Sequence, residues 1–232
     1  MSVVEIVAVT KRYEDRGELS TLALRGVDLN VEKGEFMAIA GPSGSGKTTL
    51  LNLIGALDTP STGAVRIDGR DLAGLSANQL ADLRRDRIGY VFQAYNLIPV
   101  LTAAENAEYV MELKKVAQPE RRRRVAELFD RMGLTGLMDT RPPKMSGGQQ
   151  QRVAVARAIA AEPAVVLADE PTANLDQATG RALVDLMREL NRERGVTFVF
   201  STHDPMVLGQ ADRVVRLVDG LVTTDERKAA AP

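Results

Sequence analysis

Gly41-Pro42-Ser43-Gly44-Ser45-Gly46-Lys47-Thr48 follows directly on the apolar stretch Phe36 to Ala40 and combines the residue types needed to hold a run of phosphates. A polyanion has to be approached closely by backbone N–H groups, and side chains larger than hydrogen block that approach; Gly44 and Gly46 leave the room. Lys47 offers a point charge to the terminal phosphates and Thr48 a hydroxyl to a divalent cation. A helix beginning here turns its positive end toward the anion. Gly41, Pro42, Ser43, Ser45 and Thr49 complete the expected contact set. A plain Gly/Ser-rich turn is the alternative, but every specified position is filled and the flanks are right, which favours phosphate binding.

Two further stretches carry chemistry. Val165-Val166-Leu167-Ala168 ends in Asp169-Glu170, two adjacent carboxylates whose placement is costly unless a cation or a reaction sits beside them. Mg²⁺ held against the phosphate loop supplies that charge: Asp169 is expected to hold the ion, directly or through water, and Glu170 to polarise a water for in-line attack on a γ-phosphate. Exposed loop acids are the plainer reading, which the upstream loop argues against. In Met145-Ser146-Gly147-Gly148-Gln149-Gln150-Gln151-Arg152, Ser146 and Gln149 have capping-box spacing. Gly147 and Gly148 spend helix propensity in the first turn, about 1 kcal/mol each against alanine, which a close phosphate contact would explain.

These groups need rigid elements behind them. Short apolar runs bounded by turn residues predict strands at Val3 to Thr10, Leu22 to Val31, Phe36 to Ala40, Ala64 to Ile67, Ile88 to Phe92, Val165 to Ala168, Phe198 to Phe200 and Arg213 to Val218. Helical spacing predicts helices from Thr48 to Leu57, Pro119 to Met132, Gly147 to about Ala160 and about Gln177 to Arg194. Capping boxes at Ser76/Gln79 and Thr102/Glu105 start two more, Ala77 to about Arg87 and Ala103 to about Lys115. Strands alternating with helices argue an α/β layered core, with the helix-rich middle, about Ala94 to Arg141, as a subdomain inserted into it. The run Arg121 to Arg124 invites acidic lipid, but a solvated helix face is the plainer account. Lys228 to Pro232 is expected to fray.

Composition narrows the class. The 232 residues are 44% hydrophobic, ample for one buried core, and 30 Lys plus Arg against 31 Asp plus Glu leave none of the basic excess of a nucleic-acid binder. The absence of cysteine excludes disulfides, thiolate metal sites and cysteine nucleophiles. No segment approaches the roughly eighteen apolar residues of a membrane helix, and Met1 to Glu5 lacks a secretory start, so a soluble, cytoplasmic chain is expected.

In combination these motifs resemble the ATP-binding cassette (ABC) transporter ATPases, whose signature is similar to L-S-G-G-Q, with Met145 here in place of leucine. The resemblance runs from about Val4 to Val222. It implies a phosphate-loop (RecA-like) α/β core with a parallel sheet, an antiparallel β subdomain and an inserted α-helical subdomain, in one domain spanning residues 1–232 with the helical part at about 94–141. It also implies ATP and Mg²⁺ as ligands. Gln93 resembles the glutamine that reaches metal and water, Asp176 belongs to a loop crossing to the other subunit, and His203, the only histidine, resembles the γ-phosphate switch. Tyr13 resembles the aromatic residue stacked on adenine. Metal contacts then fall to Thr48, Asp169 and Gln93. The resemblance further implies that Ser146, Gly147, Gly148 and Gln149 serve the nucleotide of a second copy in a head-to-tail dimer, and that transmembrane permease subunits dock near Gln93 and the helical subdomain, at the cytoplasmic face of the inner membrane. Apolar residues in Ala94 to Thr102 look like the permease socket, although packing within the subdomain explains them equally.

Leu51 to Asp58, the Leu-Arg-Arg before Ile88 and Asn174-Leu175-Asp176 resemble the lipoprotein-release and macrolide-exporter (LolD/MacB-like) group. Amino-acid importer subunits are similar across the core and stay open. A soluble cassette acting on DNA or ribosomes usually carries a long coiled coil or two cassettes, neither present here, and a GTPase should show N-K-x-D, which is missing.

Overall fold

The computed structural model describes residues 2–14 and 20–228, so the expected fraying of the tail falls largely outside the described residues. In chain order the elements are β1 (Ser2–Tyr13), β2 (Thr21–Glu32), β3 (Phe36–Ala40), α1 (Lys47–Ile54), β4 (Thr62–Ile67), β5 (Arg70–Asp71), α2 (Ala77–Arg87), β6 (Ile88–Val91), α3 (Ala103–Leu113), α4 (Gln118–Arg131), α5 (Gly147–Ala160), β7 (Val165–Asp169), α6 (Gln177–Arg194), β8 (Phe198–Thr202), α7 (Pro205–Gln210), β9 (Arg213–Val218) and β10 (Leu221–Arg227). They form a six-stranded sheet in the order β10-β9-β3-β8-β7-β6 and a four-stranded sheet in the order β2-β1-β4-β5. In the larger sheet every pairing is parallel except β10 with β9; in the smaller every pairing is antiparallel. This is the α/β architecture the motifs implied.

The parallel strands read as unbroken apolar runs because both their faces are covered. Successive side chains point to opposite sides. Phe36, Ala38, Val166, Ala168, Phe198 and Phe200 enter one core with the helices. Met37, Ile39, Val165, Leu167 and Val199 enter a second core with α1 and the antiparallel sheet. Parallel strands also bring their carboxyl ends to one rim, where open α/β sheets bind ligands. The loops after β3, β6, β7 and β8, which carry the phosphate loop, Gln93, Glu170 and His203, therefore meet by topology alone.

Ser76, Thr102 and Ser146 each form the reciprocal capping box read from the sequence. Helix α1 stops short of the expected Leu57, because Ala56 takes a left-handed φ of 51° and Leu57 N donates to Asn52 O instead of continuing the helix. The Arg121 to Arg124 run is not a freely solvated face. Arg121 and Arg122 reach across to Glu108 of α3, buried at 5% exposure, while Arg123 and Arg124 pair with Glu120, Glu127 and Glu162. Every guanidinium of the run is occupied, which removes the reason to invoke acidic lipid.

In the 94–102 segment the buried Asn106 accepts from Ile98 N (2.8 Å) and donates to the carbonyls of Ile98, Leu101 and Thr102. One amide thus fixes the loop that presents Val100, 72% exposed, to the outside. Leu97 turns inward against the helical core. Packing and display are both served, by different residues.

Candidate functional site

The phosphate loop is shaped from both sides. Gly46, at φ 102°, precedes α1; a Cβ there would lie 2.6 Å from Ala23 O, so only glycine lets the loop pass under β2. Gly44, at φ 79°, has open space where its Cβ would be, leaving its backbone bare toward the cleft. Lys47 is buried at 8% exposure and its ammonium donates to Gly41 O (2.9 Å) and Pro42 O (3.0 Å). The lysine thus curls over its own loop, within the ring of N–H groups. Ser45 Oγ, at 2% exposure, has no hydrogen-bond partner. A hydroxyl orphaned there is costly unless a ligand oxygen completes it.

Across from the loop, the β7–β8 register sets Asp169 opposite Ser201, whose hydroxyl donates to Asp169 Oδ1; Thr48 Oγ1 donates to the same oxygen at 3.3 Å. The first turn of α1 and the acidic end of β7 are thereby joined at one carboxylate. Glu170 follows with a left-handed φ of 44°, a conformation that turns its side chain out of the strand line, and its Oε1 lies 2.8 Å from His203 Nδ1. Glu170 is largely covered while His203 is 74% exposed, so the pair spans the cleft wall from floor to rim. Gln93, Glu170, His203, Lys47 and Thr48 line one open cleft of about 750 Å³ together with the phosphate loop.

ATP and Mg²⁺ fit this cleft. The orphaned Ser45 hydroxyl, the inward Lys47 and the bare Gly44 backbone suit a triphosphate. Mg²⁺ takes one or two protein oxygens and completes its shell from phosphates and water, which suits a site with one hydroxyl and one carboxylate. Thr48 and Asp169 are the residues placed to hold it. A larger hollow of about 920 Å³ lies at the opposite rim, before β3, β7 and β8, but its Arg87 and Arg124 are engaged by Asp68 and Glu162 and it gathers no reactive group.

Tyr13 lies outside the cleft lining. Its hydroxyl donates to Asp58 Oδ2 at 3.0 Å, Lys11 stands 4.8 Å over its ring, and burial pushes its phenol pKa up. An adenine would have to meet the remaining exposed face, the residue being 40% exposed.

Ser146, Gly147, Gly148 and Gln149 form a separate hollow with Asn174, Asp176 and Thr179, sharing no lining residue with the cleft. Asp176 caps α6, accepting from Thr179 N (3.0 Å) and Thr179 Oγ1 (2.6 Å), and those hydrogen bonds hold its carboxyl below the usual range. The two glycines have a reason within this chain that spacing does not reveal. A Cβ on Gly148 would stand 2.5 Å from Thr179 Cγ2, and one on Gly147 2.8 Å from the Tyr95 hydroxyl. Crowding against α6 and the post-β6 loop thus accounts for them without a phosphate. Gly148→Ala gains about 1 kcal/mol of helix propensity, but the Thr179 methyl is pinned by the bond to Asp176, and overpacking of this kind costs about 1–3 kcal/mol. A net loss of stability in urea unfolding is expected for Gly148→Ala, recovered in Gly148→Ala/Thr179→Ser, which keeps the hydroxyl and removes the methyl. Equal stability of the two variants would refute crowding as the cause.

Three contributors escaped sequence reasoning. Ser201 was detectable as a buried hydroxyl in the apolar run Phe198-Val199-Phe200-Ser201. Asn174, named above only as part of a motif, donates through Nδ2 to Gln93 O at 2.9 Å, and Arg157 likewise acts through backbone carbonyls; neither contact leaves a local signal.

A phosphate loop between strand and helix, facing an acidic strand end across a cleft, defines a nucleoside-triphosphate-binding domain of the phosphate-loop class. Within that class the chain belongs to the ABC transporter family, as an ATPase domain: the family model described as ABC transporter matches residues 24–173. The chain is 47% identical, over 96% of its length and 93% of the relative, to the lipoprotein-releasing system ATP-binding protein LolD of Anaeromyxobacter dehalogenans. It is 44% identical, over 96% of its length, to the macrolide export ATP-binding/permease protein MacB of Syntrophobacter fumaroxidans, and spans 31% of that longer relative. Among solved structures, the ATP-binding cassette MJ0796 of Methanocaldococcus jannaschii, a dimer in a post-hydrolysis state bound to ADP and Pi, superposes with a TM-score of 0.90 at 44% identity, covering 98% of this chain and 100% of that one. The family and fold implied by the motifs are the ones found.

Proposed function

We propose that this chain is the ATP-hydrolysing subunit of a membrane transporter of the LolD/MacB-like group, working as two copies that close head to tail on two ATP molecules. The observation that carries this reading is the presence, on one chain, of a phosphate cleft and a separate Ser146 hollow with no shared lining, which we read as the two halves of a shared site. The dimeric, ADP- and Pi-bound relative supports the pairing.

Mg²⁺, when bound, neutralises developing charge on the phosphates. This chain's own residues do the rest. The phosphate-loop N–H groups and Lys47 hold and orient the triphosphate, and Thr48 with Asp169 positions the ion. Glu170 orients water in line with the γ-phosphate and takes its proton, His203 fixes the Glu170 carboxylate and contacts the γ-phosphate, and Gln93 links metal and water. Tyr13 supports the adenine. Ser146, Gly147, Gly148, Gln149 and Asp176 serve the second copy's nucleotide.

Among the described residues no helix is long and apolar enough to cross a membrane. The reading places this subunit at the cytoplasmic face, working with transmembrane permease subunits. Its docking surface is the Asn106-braced loop presenting Val100, on a helical subdomain at about 94–141 that moves as a unit. Mg²⁺-dependent phosphate release by the purified chain, and recovery of a multi-spanning membrane protein when the native complex is isolated with this subunit, are the expected results. Failure to release phosphate would overturn the ATPase reading; ribosomes or DNA in place of a membrane protein would overturn transport.

A further inference from the structure

Arg157 stands in the last turn of α5, and among the described residues no carboxylate pairs with it. Burial alone acts on its guanidinium, pushing the pKa down. The residue is half-buried, and even partial withdrawal of a cation from water without a counter-charge is costly, so its partners have to justify it. Both are backbone carbonyls of one loop: Nη1 donates to Asn96 O at 2.5 Å and Nη2 to Tyr95 O at 2.9 Å. Tyr95 and Asn96 have left-handed φ values of 59° and 49° in succession, a pairing that side chains other than glycine seldom adopt. The reversal they make begins two residues after Gln93 and is closed by Asn96 N donating to Ala94 O.

The other side of the same loop is also held. Asn174 Nδ2 donates to Gln93 O, and the Tyr95 hydroxyl reaches Asn174 O at 3.5 Å while abutting the Cα of Gly147. A strained turn persists only where its surroundings over-determine it, and such turns cluster where a side chain must be aimed. We infer that Arg157 is a positioning residue for Gln93: its planar fork locks the 95–96 reversal and so ties the cleft glutamine to α5, the helix whose other end is the Ser146 hollow. A lysine cannot replace it fully, since one ammonium does not span two divergent carbonyls as a planar fork does. The consequence is mechanical. Whatever seats on the Ser146 end of α5 is felt, through a single rigid helix, by the residue facing metal and water in the chain's own cleft.

The inference rests on the role proposed for Gln93, and its test separates the two. Arg157→Met removes the fork at similar length. In the nucleotide-free chain, amide hydrogen exchange over residues 93–98 is expected to accelerate by about tenfold or more in Arg157→Met and by less in Arg157→Lys, with the rest of α5 still protected. Phosphate release should fall by roughly tenfold to a hundredfold, the scale of a small misplacement of a positioned group, and the Mg²⁺ concentration for half-maximal rate should rise. In a Gln93→Ala background Arg157→Met should add nothing, because the residue it positions is gone. Unchanged exchange over 93–98 overturns the inference, as does an Arg157→Met effect on phosphate release that is as large without Gln93 as with it. Should Arg157→Met fail to fold, Arg157→Lys decides by the same exchange criterion. If the unmutated chain releases no phosphate, the Gln93 role fails while the exchange result still decides whether Arg157 locks the turn.

Discussion

Glu170→Gln is expected to lower phosphate release by roughly two to four orders of magnitude, the range for loss of a positioned general base, while ATP binding persists. The substitution isolates the proton-accepting oxygen with little else disturbed. An amide has the volume of the carboxylate and can still accept through Oε1 from His203, now 2.8 Å away, so the wall from Glu170 to His203 stands. The left-handed backbone at Glu170 is as available to glutamine as to glutamate, and its N–H bond to Ser201 O is a main-chain contact that survives. Phosphate affinity comes from the loop and Lys47, which the change does not touch. With binding intact and turnover removed, the ATP-bound pair should accumulate, visible as a species of twice the mass in size-exclusion chromatography run with ATP and Mg²⁺ but not with ADP. Wild-type rates in this variant would remove Glu170 from the chemical step, and the role of base would have to pass to another group in the cleft.

The contrast between what spacing revealed and what it hid follows from the range of the interactions. Phosphate loop, acidic strand end and capped signature are each contiguous, so their chemistry is visible in a few residues, and parallel strands then gather them at one rim. The central strands were legible because burial on both faces demands unbroken apolar runs. By contrast β10 is mostly exposed and polar, held at the sheet edge by ladder bonds to β9 and by the Arg213–Asp225 pair, and no apolar period announces it. Helix α7 is six residues long; Asp204 caps it and Pro205 opens it, signals that mark a start but are too short to predict a helix. Gly147 and Gly148 have a second cause that the local pattern does not show, their close approach to Tyr95 and Thr179, distant in sequence. Arg157 lies beyond any pattern, and the motif that contains Asn174 does not disclose its part, since both grip carbonyls whose positions only the folded chain defines.

A mixture of Lys47→Ala and Ser146→Arg chains is expected to regain what neither has alone. On the proposed pairing each variant with itself has two broken sites: in the first no lysine holds the phosphates, in the second a long cation fills the hollow assigned to the partner's nucleotide. In a mixed pair the broken halves coincide in one site, and the other joins an intact phosphate loop to an intact Ser146 hollow. One trapped nucleotide per mixed dimer should therefore be found, provided the hydrolytic step is slowed by adding Glu170→Gln to the Ser146→Arg chain, which supplies the working loop. Losing the Ser146 cap costs about 1 kcal/mol of helix stability, so the Arg chain must first be shown to fold by its far-UV signal and cooperative unfolding. The geometry sets the alternative sharply. Cleft and hollow share no lining residue in this chain, so on the proposed pairing they belong to two different nucleotides. If each copy completed its own site, mixing would change nothing, and mixed dimers verified by two different tags would carry no trapped nucleotide. That result would leave the Ser146 hollow as a structural cap packed against Thr179, and the pairing of copies would need another cause.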